Sequence, residues 1–144
     1  MFRALIAIAA LLSLLSGGCV SSIPLTEIDC SRFPEAIDHN DSFPPDKSVT
    51  IDSAEAERML IHKEYPQYPE LAIRAGLEGT VVVRLWIGRD GSVRKAFILK
   101  SSAEIFNEPT LKAAEKLLFR PAACDGTAIS VWATMPIRFK LTDH

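Results

Sequence analysis

An active site in this chain would have to be assembled from three histidines, three cysteines and an adjacent serine pair. His39, His62 and His144 are scattered too widely along the sequence to offer metal-ligand or triad spacing. Ser101-Ser102 has no base indicated near it and reads as a turn at a strand end. Glu70, Glu78 and Asp90 read as a charge at a helix N-terminus, a surface residue and a turn former. The sequence therefore assigns no catalytic residue, no metal site and no cofactor. A binding protein is expected, not an enzyme.

The cysteines point to other chemistry. Met1-Phe2-Arg3 is a short positive segment, Ala4 to Leu15 is apolar except for Ser13, and Leu15-Ser16-Gly17-Gly18-Cys19 follows. This is the plan of a secretory signal, residues 1–18, with small residues where a peptidase must reach the backbone. The segment resembles the lipobox of bacterial lipoproteins, with Ser16 where the best matches carry leucine, and the resemblance implies a lipid such as palmitate on Cys19. The alternative is an uncleaved anchor; Ala4 to Leu15 would reach only about 18 Å as a helix, against a hydrocarbon core of about 30 Å. Val20 is not aspartate, which by resemblance to lipoprotein sorting implies the outer membrane and the periplasmic face of the envelope.

Cys30 and Cys124 are left in the mature chain, and an oxidising periplasm would let them pair. Such a bridge closes a long loop and is worth roughly 4 to 5 kcal/mol in the chain-entropy account. Two unpaired thiols, one buried, are the other reading. Charge is uneven: Val20 to Glu64 carries ten acidic and four basic residues, Tyr65 to His144 eleven basic and eight acidic. The acidic segment either lies over a basic face or leaves that face to an acidic partner. The imbalance is far too small for nucleic acid, which the export signal also argues against.

The chain divides into the signal 1–18, an acylated tether 19–64 and a domain 65–144. Pro24, Pro34, Pro44 and Pro45 among Ser and Asp mark the tether. Within it, Ser48 to Ile51 suits a short strand, and Asp52 with Glu55 has capping-box spacing for a short helix to about His62.

From Tyr65 onward the pattern is periodic. Pro69 fits the first turn of a helix over Glu70 to Arg74, stopped by Gly76. Thr80 to Ile87 alternates as a strand, Gly88-Arg89-Asp90-Gly91 turns, and a second strand runs from Ser92 to about Lys100. Val93 and Ile98 differ in phase there, so either a bulge shifts the register or both faces are partly covered. Asn107, an expected N-cap, opens a helix to Phe119, with Phe106 stapled on Leu111 and Pro121 beyond the end. The last strand points Val131, Ala133, Met135, Ile137, Phe139 and Leu141 one way and Ser130, Trp132, Thr134, Pro136, Arg138 and Lys140 the other. Trp86 and Trp132 fall opposite the apolar stripe, on a face that is either covered by the N-terminal segment or used for binding.

Pro136 cannot donate a ladder hydrogen bond, so the last strand is expected at a sheet edge. A long edge is either a hazard to be covered or a docking place for an extended peptide. The fold expected is α+β in two layers, a three-stranded antiparallel sheet packed against helices.

Six fragments in order resemble the TonB C-terminal domain family: Tyr68-Pro69-Glu70-Leu71-Ala72, Glu78 to Val83, Arg89-Asp90-Gly91-Ser92-Val93, Ser101-Ser102, Phe119-Arg120-Pro121-Ala122 with Asp125-Gly126, and Pro136 to Leu141. They cover a little over half the chain. The resemblance implies binding of a short extended segment of an envelope protein, such as a TonB-dependent receptor, by strand addition along the last strand, in transport across the outer membrane. Gln67, Tyr68, Ser130, Val131, Trp132, Thr134 and Arg138 are the peptide-contact candidates it implies. The membrane contact would be the lipid at Cys19. This chain departs from a working TonB in carrying a cleavable-looking signal and a short tether, which puts energy transduction by the chain alone in doubt. The competing function is a structural envelope lipoprotein that pairs with itself as a homodimer through the same edge.

Overall fold

The structure, a computed structural model, describes residues 24–29, 31 and 49–142. The expected signal 1–18, Cys19, Cys30, His39 and His144 lie outside the described residues. In chain order the elements are β1 (Thr26–Glu27), β2 (Thr50–Ile51), α1 (Ser53–Met59), β3 (Leu60–His62), α2 (Glu70–Arg74), β4 (Gly79–Ile87), β5 (Val93–Ser101), α3 (Asn107–Ala114), β6 (Leu118–Phe119), β7 (Ala122–Cys124), β8 (Thr127–Ile129) and β9 (Val131–Phe139).

The alternation along Thr80–Ile87 and Val131–Phe139 has the expected consequence. β4 and β9 pair antiparallel over nine residues without a register shift, from Gly79 opposite Phe139 to Ile87 opposite Val131. Val81, Val83, Leu85 and Ile87 of β4 and Val131, Ala133, Met135 and Phe139 of β9 are buried on the face that α1 and α3 pack against. The class is α+β, as the sequence implies. The sheet has four strands and not the three expected, in the order β2-β9-β4-β5. The additional strand is β2, which adds parallel to β9 with Thr50 opposite Trp132 and Ile51 opposite Ala133.

Sequence alternation cannot reveal that pairing, because β2 is two residues long and its partner lies some eighty residues away. Its local surroundings are legible: Asp52 caps α1, its carboxylate accepting from the Glu55 N–H at 2.8 Å. Val49, Ile51, Ala56 and Met59 are buried with the β4 and β9 side chains. Residues 49–60 thus pack into the same core as the stretch after Tyr65.

Two other elements differ from expectation. The helix opening at Asn107 ends at Ala114, short of Phe119, and Asn107 is its first residue, Phe106 occupying the cap after a 3-10 turn over Glu104–Phe106. The reason for the early end is competition for donors: the Phe119 N–H bonds to Gly91 O at 2.9 Å and the Arg120 N–H to Met59 O at 2.7 Å, so neither continues a helical ladder. β5 is bulged twice, between Ile98 and Lys100 and between Val93 and Lys95, which resolves the change of phase along it. The β4–β5 turn requires Gly91, whose φ is +81° and whose absent Cβ would sit 1.9 Å from the Phe119 carbonyl oxygen. Asp90 completes the turn by accepting from the Ser92 N–H at 3.0 Å and hydroxyl at 2.7 Å.

Candidate functional site: the outer edge of the last strand

Backbone parity fixes what β9 presents on the side away from β4. The Trp132 N–H donates outward to Val49 O at 2.8 Å. Outward-facing groups recur every second residue, so Thr134, Pro136 and Arg138 also face away from β4. The N–H that proline lacks therefore belongs to the outer side, and the nine-residue ladder with β4 stays in register past Pro136. The expectation of a simple edge strand needs correction: over Trp132–Ala133 the strand lies between β4 and β2, whose parallel register also takes the Thr134 N–H, and among the described residues the outer side of β9 has no paired strand only from Met135 to Phe139.

Two depressions flank that unpaired part. One of about 400 Å³ is lined by Leu60, Tyr65, Pro66, Leu117, Met135 and Ile137 among others, and so lies toward the helical side of the sheet. The second, of about 470 Å³, is lined by Thr50, Ile51, Asp52, Ser53, Val82, Thr134 and Pro136, continuing the line of β2 toward the opposite face. Side chains of an added strand alternate between faces, and each face has room for them.

The sequence candidates fall into groups. Arg138 borders the free edge and is exposed, whereas Thr134, half-buried, sits where β2 ends and its N–H is taken by that pairing. Ser130 and Val131 are buried, and the outward N–H of Trp132 is taken by Val49, so these three do not offer a free surface. Gln67 is exposed away from β9, in a groove of about 580 Å³ between residues 64–71 and α3. Tyr68 serves the scaffold: its hydroxyl donates to Leu77 O at 2.6 Å, and its ring stands edge-on to Phe106 and Phe139, with centroids 5.9 and 5.5 Å away. Desolvation, with help from the nearby Glu78 carboxylate, pushes its phenol above the ordinary 10.0. Phe106 and Phe139 stack at 4.3 Å and hold the C-terminal end of β9 against the helical layer.

The tryptophan face is covered. Trp86 is 2% and Trp132 9% exposed; the rings lie 5.1 Å apart, the Arg84 guanidinium sits 4.5 Å from the Trp132 ring centre, and Phe97 closes one side at 6.0 Å. The serine pair has turn roles, Ser101 Oγ donating to Ala103 O and Ser102 Oγ to Thr80 O, both at 2.9 Å. Among the described residues no cluster of three His, Cys, Asp or Glu side chains is placed to hold a metal, and no helix is long and apolar enough to cross a membrane. Sequence reasoning missed Val49 and Ile51 as occupants of the β9 edge, and Met135 and Ile137 as walls beside it. The alternation marked those two only as core.

Comparison with known proteins places this fold in a family. The model of the Gram-negative bacterial TonB protein C-terminal family matches residues 64–141. Protein tonB2 of Pseudomonas aeruginosa is 38% identical over 82 residues, covering 56% of this chain and 30% of that protein. Protein TonB of Vibrio cholerae is 36% identical over 77 residues, covering 53% of this chain and 32% of that protein. The chain therefore spans about a third of the length of these relatives. The solution NMR structure of the Pseudomonas aeruginosa TonB CTD superposes with a TM-score of 0.51 at 28% identity, over 59% of this chain and 87% of that one. From Glu64 through the free end of β9 to Leu141, the chain belongs to the TonB C-terminal family.

Proposed function

We propose that this protein is a lipid-anchored periplasmic module that recognises an extended peptide segment of an envelope protein by strand addition at the outer edge of β9, in the service of transport across the outer membrane. The reading rests above all on the stretch Met135–Phe139, unpaired on its outer side among the described residues, with a depression on each side of it. Main-chain hydrogen bonds would supply affinity there, and alternate side chains entering the depressions would supply selectivity. The relatives are TonB proteins, and a receptor of the outer membrane is the envelope partner this family suggests.

Anchoring is assigned to Cys19 by its lipobox-like setting, with 1–18 removed and residues after it serving as a tether. A Cys30–Cys124 bridge would fasten that tether to the domain. Three observations support it. Cys124 is buried and is not a free thiol. β1 runs parallel to β7, with Glu27 opposite Ala123, and the Ile28 N–H donates to Ala123 O at 3.0 Å. Cys30 follows two residues later.

The decisive variant is Arg138→Pro. It removes an outward N–H from the free edge while leaving the β4 ladder intact, so folding stability should change by only about 0.5 kcal/mol. A photocrosslinker placed at Thr134 in the acylated protein should capture an envelope partner, and the Arg138→Pro change should abolish the capture. Undiminished capture by a folded Arg138→Pro protein excludes recognition at this edge. Sedimentation over a range of concentrations tests the self-pairing alternative, for which a mass that never rises above the monomer is fatal.

A further inference from the structure

We infer that β2 is a resident guest strand: the chain's own residues 49–51 fill part of the edge through which a partner would bind, and the partner enters parallel to β9 by displacing them. This rests on the strand-addition reading above and specifies its direction, its side-chain pattern and its competitor. Three observations lead to it. The free stretch Met135–Phe139 is by itself a poor ladder, because Pro136 offers no donor on the outer side and Arg138 is its only outward N–H. The adjoining stretch is a good ladder and is already in use, with β2 running in the parallel sense and the Trp132 N–H bonded to Val49 O at 2.8 Å. The 470 Å³ depression joins the two, since Thr50 and Ile51 line one end and Pro136 the other.

The occupant defines what the edge accepts. Val49 and Ile51 are 2% and 7% exposed and point into the core, while Thr50 between them is exposed. An entering segment must therefore be extended, must run in the direction of β9, and must present two β-branched apolar side chains two residues apart with a polar residue between them. It would carry on past the position of Ile51 toward Pro136, where β2 cannot follow because Asp52 turns the chain into α1. A longer foreign strand thereby gains contacts that the resident one lacks. The energetic consequence follows from population: a site occupied by its own chain most of the time shows an apparent affinity reduced by the fraction that is open.

The test uses the full chain and, as probe, a fluorescent peptide of its own residues 47–53, Lys-Ser-Val-Thr-Ile-Asp-Ser. Replacing Val49 and Ile51 by threonine in the protein loosens the resident strand without burying a charge. The peptide should bind this double variant about tenfold more tightly than the unaltered protein. Equal affinity for the two proteins overturns the inference. A second measurement needs no variant: amide exchange at Trp132 should be faster than at Met135 or Val83 of the central ladder, reporting an opening of β2 alone. Exchange at Trp132 no faster than in that ladder overturns it as well. Strand addition itself is judged separately by the Arg138→Pro capture experiment. Capture lost there with equal peptide affinities here rejects the resident strand and keeps the edge; the opposite pair of results keeps the exchange of β2 and shows that the captured envelope partner is held elsewhere on the protein.

Discussion

The two margins of the central sheet are built in opposite ways. β5 is bulged at two places in nine residues and presents Arg94, Lys95 and Lys100 to solvent. β9 keeps register with β4 over all nine pairs, and among the described residues its outer side is paired in part with β2 and otherwise with no strand. Bulges and lysines are how natural sheets discourage a further strand, because they twist the row of backbone groups out of line and penalise burial of charge. A straight strand keeps its outward groups at a constant spacing. The contrast is what the proposed strand addition requires: one margin is irregular and charged, and the other is regular, with Pro136 and β2 limiting what could attach.

The largest expected effect on this contrast comes from beneath the β9 margin. Phe106 is fully buried, stacked on Phe139 and edge-on to Tyr68, so it supports the end of β9 that is free of β2. Phe106→Ala should cost about 3 to 5 kcal/mol, read as a lowered denaturant midpoint. If the loss were under about 1 kcal/mol, the aromatic stack would not be what keeps this margin straight.

A smaller effect is expected at the β5 side. Gly91→Ala forces a side chain into a left-handed backbone and against the Phe119 carbonyl, and should destabilise by roughly 1 to 3 kcal/mol. The damage should be local. Amide protection should fall more in β5 than in the β4–β9 ladder, and equal loss in both would show that the two margins are not separable units.

How much of this was readable beforehand follows the range of the interactions. Asp52 with Glu55, Gly76 after Arg74 and Asp90-Gly91 each act within a few residues, and each produced the cap, stop or turn their types require. The alternation from Val131 to Phe139 gave a half-buried strand because that pattern depends only on which face is dry. What the residues could not disclose was pairing at a distance. The end of α3 was set by the Met59 and Gly91 carbonyls, and the edge of β9 was shared with Thr50 and Ile51 from a segment composed like a tether. Pro136 pointed to an edge strand, whereas β9 lies between β4 and β2 over Trp132–Ala133, and the parity of Pro136 relative to Trp132 is set by that distant pairing. Gln67 and Tyr68 were drawn in through the resemblance, whereas the Tyr68 hydroxyl is engaged by Leu77.

The weakest expected effect concerns acid, and it again separates the margins. Partial burial tends to raise the Asp90 pKa, but hydrogen bonds from the Ser92 hydroxyl and N–H, together with the Arg94 charge, outweigh that and hold the carboxyl below its ordinary 3.8. A carboxylate depressed on folding contributes stability that is present above the unfolded value and lost as the pH falls through the lower folded one. Asp90 is largely exposed and its contact with Arg94, at 3.2 Å, is screened by solvent, so the contribution is small. Stability of the unaltered protein should therefore decline as the pH is taken below about 4, and Asp90→Asn should flatten part of that decline while lowering stability slightly at neutral pH. Because Asp90 closes the β4–β5 turn, the acid-induced loosening should show in Ser92 to Lys95 amides before it shows at Trp132. An acid response appearing first at Trp132 would overturn the assignment of the sensitive carboxylate to the β4–β5 turn.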